Sequence, residues 1–482
     1  MAQPSFSNYA SFEWLKLNQT VAYDFTRRQY PKAEMTLGRG YGALKYEREL
    51  DGVGPFKPLP GGGYAVQMKL KNGIGASGTL PNSSNSIADA GSFSPTLDPL
   101  QVSPFFFFAN AQTNEAQAIG AQTQFAPEQY INWLTDKAQG VIEAFAIMAG
   151  STFSTTGYNY NIDTVASDFA GVSITDATTS FEIEVNNLDR WQVGGEYEFA
   201  NGNTVVPNLG KGIVYGKDSK SGPGTISVKF PDFVSSGTIS ASFNCNYYGG
   251  RAWSANTGNT APNGWQEWVK DAAHPRAPEG GNVAVSAEYY RPVRYSIEDA
   301  KINPDDMFTF LANMEDHGSS SGVTGGGFSN EASMYTDDQG IPLYRAAFVT
   351  HPRTIRQLQL NYKDRVNLNT FGVPVKFDSI VEDQLKYEAF QGIPLRGDFT
   401  CDLSEMYLLN MGFVGVGIVK EFGPPLQYRN MGDFIPVTGG SLNYVLPRNM
   451  AMLAVPLQRD RIGYLYGNGN IGLPLTHTSN PS

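Results

Sequence analysis

Two stretches near the N-terminus alternate apolar and polar residues with a period of two. In the first, residues 44–50, the apolar row is Leu44, Tyr46 and Leu50, and Arg48 interrupts it. In the second, residues 64–71, the apolar row is Tyr64, Val66, Met68 and Leu70. A Gly- and Pro-rich segment, 51–63, lies between them. Alternation of this kind is typical of strands with one covered face, and we predict that the two stretches pair as one long hairpin.

A helical period follows. Pro127 and Glu128 are typical of a helix start, and Gly150 is predicted to close the segment. Within 127–149 the apolar residues fall at helical spacing: Tyr130, Trp133, Leu134, Ala138, Val141, Ile142, Phe145 and Met148. The pattern predicts a long amphipathic spine helix with Trp133 and Phe145 in its buried stripe.

Residues 155–262 differ from their surroundings. Alternating runs at 181–185, 226–230 and 239–247 are separated by Gly-rich turns, and no helical period of useful length interrupts them. We therefore predict an inserted all-β subdomain.

The remainder mixes both periods. We predict a helix that Asn303 caps and Gly318 ends, a strand at 348–350 followed by a helix from Pro352, and further strands at 373–377 and 407–419. The fold class is therefore α+β.

Composition and charge narrow the function. With 41% hydrophobic, 12% aromatic and only 17% charged residues, the bulk of the 482-residue chain is not disordered. Thirty-five basic residues against 46 acidic ones give a net charge of −11. This net negative charge disfavours binding to nucleic acid and to an anionic membrane.

Cysteine usage and targeting signals point to the cytoplasm. Cys245 and Cys401 lie far apart and form neither a disulfide framework nor a metal-binding spacing. The N-terminus lacks the pattern of a signal peptide, and no apolar stretch approaches the length of a membrane span. We expect synthesis in a reducing cytoplasm.

Several patterns in the sequence resemble functional motifs, but each has a simpler structural explanation. Residues 73–78 match a dinucleotide-binding fingerprint, but the polar segment after them does not begin a helix. Residues 318–322 match a nucleophile elbow, yet a helix precedes them and a loop follows. The acidic pair Asp305 and Asp306 fits a first helical turn, and the four histidines lack ligand spacing. We predict no catalytic residue, no cofactor and no metal site, and hence no enzyme.

In chain order the predicted parts are an arm, a hairpin, an extended return, a spine helix and a mixed α/β domain. This order resembles the major capsid proteins of tailed bacteriophages with the Hong Kong 97-type fold. The segments FVTHPRTIRQLQ (348–359), GVPVKFDSIVED (372–383) and DLSEMYLLNMG (402–412) are similar to the strand-then-helix and late-strand segments of that family. About three quarters of the chain takes part, and the predicted insertion is not explained by it.

The resemblance, taken together with the predicted insertion, gives a division into five parts. These are an N-terminal arm (1–35), an extended hairpin loop with its return (36–104), a peripheral domain with the spine helix (105–154), the inserted β subdomain (155–262), and an axial α/β domain that returns to the peripheral domain (263–482). It also implies that the hairpin contacts a neighbouring subunit. The predicted intersubunit residues are Leu44, Tyr46, Tyr64, Val66, Met68 and Leu70.

The implied function is a virion protein that is assembled in the host cytoplasm. Copies of the chain form the hexamers and pentamers of an icosahedral head around double-stranded DNA, without sequence-specific binding and without a membrane. The implied partners are a separate scaffolding protein, a portal and, where present, decoration proteins. Some family members cross-link hairpin lysines, for which Lys45, Lys57, Lys69 and Lys71 lie in the corresponding region.

Two other classes stay open at this point. A tail or decoration protein would share the strand-rich composition, and so would a β-rich protein that binds or cleaves polysaccharide, with aromatic residues stacking on sugars.

Overall fold

The computed structural model describes a discontinuous part of the chain. The described residues are 31–37, 44–47, 56–58, 64–69, 97–102, 104–114, 140, 144–202, 204–218, 221–249, 264–270, 292–298, 301–319, 335–336, 342–343, 346–368, 378–382, 385–390, 393–410, 414–423, 435–436, 443–456, 459 and 462–473. Strands and helices are both present, so the α+β class is confirmed. Among these residues, no helix combines the length and the apolar character that a membrane crossing requires.

A seven-stranded sheet, here called the central sheet, organises the C-terminal half. Its strands follow one another across the sheet in the order Val293–Ile297, Ile462–Gly467, Glu405–Asn410, Ala346–Thr350, Ile393–Gly397, Leu385–Phe390 and Asp378–Glu382. The strand Glu405–Asn410 is buried along its whole length, because both faces of the sheet are covered. A short two-stranded ribbon, Tyr335–Thr336 with Pro342–Leu343, lies outside this sheet.

The two faces of the central sheet belong to different cores. On one face, Met406 and Leu408 pack in a cluster with residues of the helices Pro304–Ser319 and Pro352–Leu368. On the other face, Tyr407 and Leu409 pack in a cluster with residues of the N-terminal half. Because successive side chains of a strand point to opposite faces of the sheet, this one strand contributes to both cores.

Within the described residues, three α-helical segments contribute to the second core. These are the arm helix Pro31–Leu37, the helical residues 144–153 of the spine helix and the short helix Trp265–Trp268. Phe107 makes edge-to-face contacts there with Phe145 and Phe153, with ring centroids 5.6 and 5.5 Å apart. Contacts of this geometry add to the stabilisation from buried area.

Phe107 belongs to a five-stranded sheet, here called the peripheral sheet. Its strands are Leu44–Glu47, Phe105–Asn114, Val414–Gly423, Ile435–Pro436 and Asn443–Pro456. The long strand Asn443–Pro456 pairs antiparallel with Phe105–Asn114 and with Val414–Gly423. The strand region predicted at 407–419 is divided between two strands, Glu405–Asn410 of the central sheet and Val414–Gly423 of the peripheral sheet.

The predicted pairing of the N-terminal hairpin is wrong. Leu44–Glu47 pairs in parallel with Val414–Gly423, not with the stretch that begins at Tyr64. Tyr64–Lys69 instead lies between Phe56–Pro58 and Leu97–Val102 in a three-stranded antiparallel sheet, here called the extended sheet. Local alternation identified the strands, but it contains no information about a partner about 370 residues away in the chain.

Between residues 161 and 247, the described strands pair only with one another. Seven of them form one sheet, here called the insert sheet: Asn161–Thr164, Phe181–Val185, Glu196–Asn201, Thr204–Val205, Gly212–Lys217, Gly224–Lys229 and Asn244–Tyr247. Val172–Ile174 and Gly237–Ile239 form a separate ribbon. Ile174 and Ile239 of the ribbon share a buried cluster with Ile183, Val185 and Phe199 of the sheet. This region, here called the insert, has its own hydrophobic core, while the predicted five-part division of the chain stays a prediction.

The single strand predicted at 239–247 is divided between the ribbon and the insert sheet. Ser242 separates the two pieces and has a left-handed φ of 61°. Its N–H donates to the Val165 carbonyl oxygen, which holds the bend in place.

The two chain segments that connect the insert to the rest of the subunit lie side by side. The Gly264 N–H donates to the Thr156 carbonyl oxygen at 2.9 Å. A Cβ atom at Gly264 would lie only 1.8 Å from the Thr155 carbonyl oxygen, so glycine is required here by close approach of two backbones.

The helix ends test the capping predictions. Asn303 and Asp306 form a reciprocal cap, because each backbone N–H donates to the other side chain, at 2.9 and 3.0 Å. Pro352 begins its helix as predicted. Gly150 and Gly318 do not end theirs: the helices continue to residues 153 and 319. Intrahelical bonds such as Ser154 N–H to the Gly150 carbonyl oxygen continue the first helix past its glycine.

We expect Phe145→Ala to lower the free energy of unfolding by about 3–5 kcal/mol, because Phe145 is 95% buried beneath Phe107. Phe108→Ala is the matched control: its ring is 45% exposed, and we expect a loss of about 1 kcal/mol or less. Denaturant unfolding measures both. Equal losses of unfolding free energy in the two variants would show that the phase of the spine helix is misassigned. Trp133, the other residue predicted in the buried stripe, lies outside the described residues.

We expect Gly264→Ala to cost about 3 kcal/mol or more, since the added methyl group must displace the Thr155 backbone. Gly140→Ala is the control, because its added Cβ would meet no atom within 4 Å other than those of its chain neighbours and its own helix backbone, and we expect a change within about 1 kcal/mol. A Gly264 variant as stable as the control would contradict the close approach of the two connecting segments.

Candidate functional site

The structure divides five of the six predicted intersubunit residues between two sheets. Leu44 and Tyr46 lie opposite Gly415 and Gly417 at the edge of the peripheral sheet. Tyr64, Val66 and Met68 lie on the middle strand of the extended sheet, opposite Val102, Leu100 and Asp98. Leu70 lies outside the described residues. An intersubunit role for the set stays a prediction.

The extended sheet stands apart in its pairing. Within the described residues, none of its three strands pairs with a strand of the central, peripheral or insert sheet. A sheet of this size needs a covered hydrophobic face for stability in water. This part of the subunit is therefore the first candidate for an assembly surface.

A buried polar cluster, here called the junction, is the second candidate. Four parts of the chain meet there: the arm helix, the C-terminal end of the spine helix, the insert, and the turn 398–402 between two strands of the central sheet. Lys32, from the arm helix, is fully buried. Its ammonium group donates to Ser154 Oγ at 3.0 Å and lies 3.6 Å from Glu405 Oε1. The ammonium also lies 4.8 Å from the centre of the Tyr407 ring, a cation–π contact.

Hydrogen bonds close a ring around Lys32. Ser154 Oγ lies 2.8 Å from Thr400 Oγ1, and the Thr400 hydroxyl donates to Asp398 Oδ1 at 2.6 Å. Asp398 Oδ2 then accepts the backbone N–H of Lys32 at 2.8 Å. The turn thus binds the backbone N–H of Lys32 directly and its ammonium group through Ser154, which offsets part of the large cost of burying an ammonium group.

Arg190 supplies the second buried cation, from the insert. Its Nε donates to the Thr400 carbonyl oxygen and its Nη2 to Asp402 Oδ1, both at 2.9 Å. Its Nη1 lies 3.8 Å from Asp163 Oδ1. The planar guanidinium group presents its donors in a fixed fork, which places them towards separate acceptors, whereas an ammonium group is a compact point charge.

Burial governs the ionisation of the carboxylates at the junction. Loss of solvent raises the pKa of Asp163 to about 6, against the lowering effects of Arg190 and of the Trp191 indole N–H, which donates at 3.0 Å. Burial also raises the pKa of Glu405, and the nearby Asp402 adds to this effect, although Lys32 and Arg190 oppose it.

His351 lies beside the turn and caps the helix Pro352–Leu368. Its Nδ1 accepts the Arg353 N–H at 3.2 Å, and its ring contacts Phe399 edge-to-face. Burial lowers the pKa of His351 to about 4, so the folded state holds it neutral. Its contribution to stability is complete above the ordinary value of 6.5 and is lost as the pH falls towards 4, opposite in sign to that of Asp163.

Lys32, Arg190, Asp398 and Glu405 were not predicted from the sequence. The available signal was the presence of charged residues among apolar or small ones, as in the segments LDRW and GDFTCDLSEMYLL. Burial of these charges could be inferred only once the surrounding elements had been assembled.

Few features of the described residues favour a catalytic function. No group of three or more His, Cys, Asp or Glu side chains among them could hold a metal ion. An open cleft of about 550 Å³ on the insert is lined by the uncharged residues Asn201, Thr204, Val205, Val206, Pro207, Gly237, Thr238 and Phe243. These side chains provide no general acid or base.

No protein-family model matches the sequence, and no curated protein matches it. Among solved structures, the chain is similar to the capsid of a native GTA particle, at 9% identity and a TM-score of 0.39, over 90% of each chain. It is also similar to the mature capsid of bacteriophage PhiM1, at 7% identity and a TM-score of 0.38, over 90% of this chain and 87% of that one.

A third match is the encapsulin complex from Synechococcus elongatus, at 14% identity and a TM-score of 0.25. That match covers 41% of this chain, and the chain spans 58% of the encapsulin's length. All three TM-scores are low, and the functional proposal therefore depends on the elements of this chain.

We expect Asp163→Asn to remove a pH dependence of stability. A carboxyl group whose pKa is raised in the folded state stabilises it most below the ordinary pKa of 3.8, and that contribution is lost as the pH rises through about 6. Relative to the parent, the Asn variant should therefore gain on the order of 1–3 kcal/mol between pH 4 and pH 6.5.

Urea unfolding at intervals across that range measures the difference. In the Asn variant, the side-chain amide faces the Thr164 N–H, which in the parent donates to Asp163 at 2.9 Å. The resulting change in stability is the same at every pH, so it does not alter the pH dependence of the difference. A difference that stays flat, or that moves against the Asn variant, would mean that Arg190 and the hydrogen bonds outweigh burial.

Proposed function

We propose that this chain is the major capsid protein of a tailed bacteriophage, which self-assembles into the hexamers and pentamers of an icosahedral head around double-stranded DNA. The observation that carries the proposal is the extended sheet. Within the described residues, it pairs with none of the other sheets, although its neighbour in the chain, Leu44–Glu47, is part of the peripheral sheet. A sheet whose strands pair with no other sheet within the described residues has edge strands at which another subunit could add a strand.

Two further features support a shell protein. The net charge of −11 disfavours binding of the chain to DNA, and weak binding suits a shell that must release its DNA. Tightly fixed junctions between parts of the subunit, such as the one around Lys32 and Arg190, suit a building block that must keep one shape while many copies combine.

The role is structural and non-enzymatic, in the virion, with assembly in the host cytoplasm. The partners are other copies of the chain, a separate scaffolding protein, a portal and, where present, decoration proteins. The insert, with its own core, is the part of the subunit best suited to project from the shell without altering it.

The test is deletion of residues 48–67. The deletion removes Phe56–Pro58 and most of Tyr64–Lys69 but leaves Leu44–Glu47 on the peripheral sheet. We expect a folded, soluble subunit that does not close shells in electron micrographs, whereas the parent forms closed shells or sheets of capsomers. Tyr215→Ala is the control, because this 56% exposed side chain lies on the insert; it should assemble normally.

Hydrogen exchange gives a second readout. The amides of the extended sheet should exchange quickly in unassembled subunits and become protected after assembly. Protection that is already complete in the free subunit, or normal shells from the deleted protein, would refute the assignment. Fibres or rings from the parent would favour a tail protein instead, and monodisperse monomers would favour a polysaccharide-binding protein.

A further inference from the structure

The turn 398–402 is short, but it contacts three other parts of the subunit. On one side, Asp398 accepts the backbone N–H of Lys32 from the arm helix at 2.8 Å. On the other side, the carbonyl oxygens of Thr400 and Cys401 accept from Arg190 and Asn187 of the insert, at 2.9 and 3.1 Å. The turn therefore lies between the insert and the arm helix.

Thr400 connects the two sides directly. Its carbonyl oxygen accepts from Arg190, while its hydroxyl group lies 2.8 Å from Ser154 Oγ, which in turn accepts from the Lys32 ammonium at 3.0 Å. All four side chains are at least 98% buried. A continuous line of hydrogen bonds thus runs from the insert through the turn and the spine helix to the arm helix.

The internal geometry of the turn makes this line stiff. Asp398 Oδ1 accepts from both the backbone N–H and the hydroxyl group of Thr400, at 2.8 and 2.6 Å. Asp402 is held as well, since its N–H donates to Glu405 Oε1 at 3.3 Å. A shift of Thr400 towards either side would leave a buried donor or acceptor without its partner, which is unfavourable for each group.

We infer that the turn 398–402 couples the insert to the arm helix, so that a change in how the insert is seated alters the stability of the arm helix. Arg190 acts as the positioning residue, because it holds the turn from the insert side. The inference depends only on contacts within one subunit and does not rest on the capsid function.

The test is hydrogen exchange on full-length Arg190→Met, in a single assembly state. The substitution keeps a side chain of similar length and removes both bonds to the turn. We expect the amides of Pro31–Leu37 to exchange at least tenfold faster, while those of the helix Pro304–Ser319, which packs on the opposite face of the central sheet, keep the parent rates.

Lys217→Met is the matched control. Lys217 belongs to the insert and donates to the Leu188 and Trp191 carbonyl oxygens on either side of Arg190, at 3.1 and 2.9 Å. Those bonds stay within the insert. This variant should speed exchange around residues 188–191 but leave the arm helix unchanged.

Two results would overturn the inference. One is an arm helix that exchanges at the parent rate in Arg190→Met; the other is a uniform acceleration of all elements, which indicates general destabilisation without coupling. If Arg190→Met does not fold, Arg190→Lys is measured against the same two criteria, because it keeps the charge but cannot bond to Thr400 and Asp402 together.

A double-mutant cycle adds an independent readout. Arg190→Met and Lys32→Met should be non-additive, whereas Lys217→Met and Lys32→Met should be additive. Additivity in the first pair would show that the insert and the arm helix are stabilised separately, and would contradict the coupling.

Discussion

Two buried cations, Lys32 and Arg190, determine how the parts of this subunit fit together. Neither can be left without partners inside a protein, because an isolated buried charge costs far more than a hydrophobic contact returns. Their partners come from different segments: Ser154, Asp398, Thr400 and Asp402. The geometry of one short turn therefore sets the relative placement of the arm helix, the spine helix, the insert and the central sheet.

Buried charges of this kind are weak evidence for stability, since well-packed apolar residues often stabilise a site as well. What they provide is selectivity among arrangements. An apolar interface tolerates small rotations, whereas the fork of Arg190 between the Thr400 carbonyl oxygen and Asp402 is satisfied in one orientation only. The opposed ionisation of Asp163 and His351 around the same turn also limits the net effect of mild acid on the junction.

Sequence reasoning succeeded where the information is local. The Asn303 cap, the helix start at Pro352 and the strands Phe181–Val185 and Gly224–Lys229 follow from propensity and period within a few residues. It failed where pairing is long-range: Leu44–Glu47 pairs with a strand near the other end of the chain, and an alternating pattern does not specify its partner. The junction was missed for the same reason, because Lys32 in PKAEMTL looks like an ordinary solvent-facing residue until the elements around it are in place.

The side-by-side arrangement of Thr156 and Gly264 has a consequence for how such a protein can change over time. Because the chain leaves the rest of the subunit and returns to it at nearly the same point, a whole module can be gained, lost or exchanged there without moving either flanking element. The same arrangement suits protein engineering, since a foreign domain with adjacent termini could be grafted at this site. The graft would also have to replace what Arg190 and Asn187 donate to the turn, so two donors of matching geometry are the minimum that any substitute module must present.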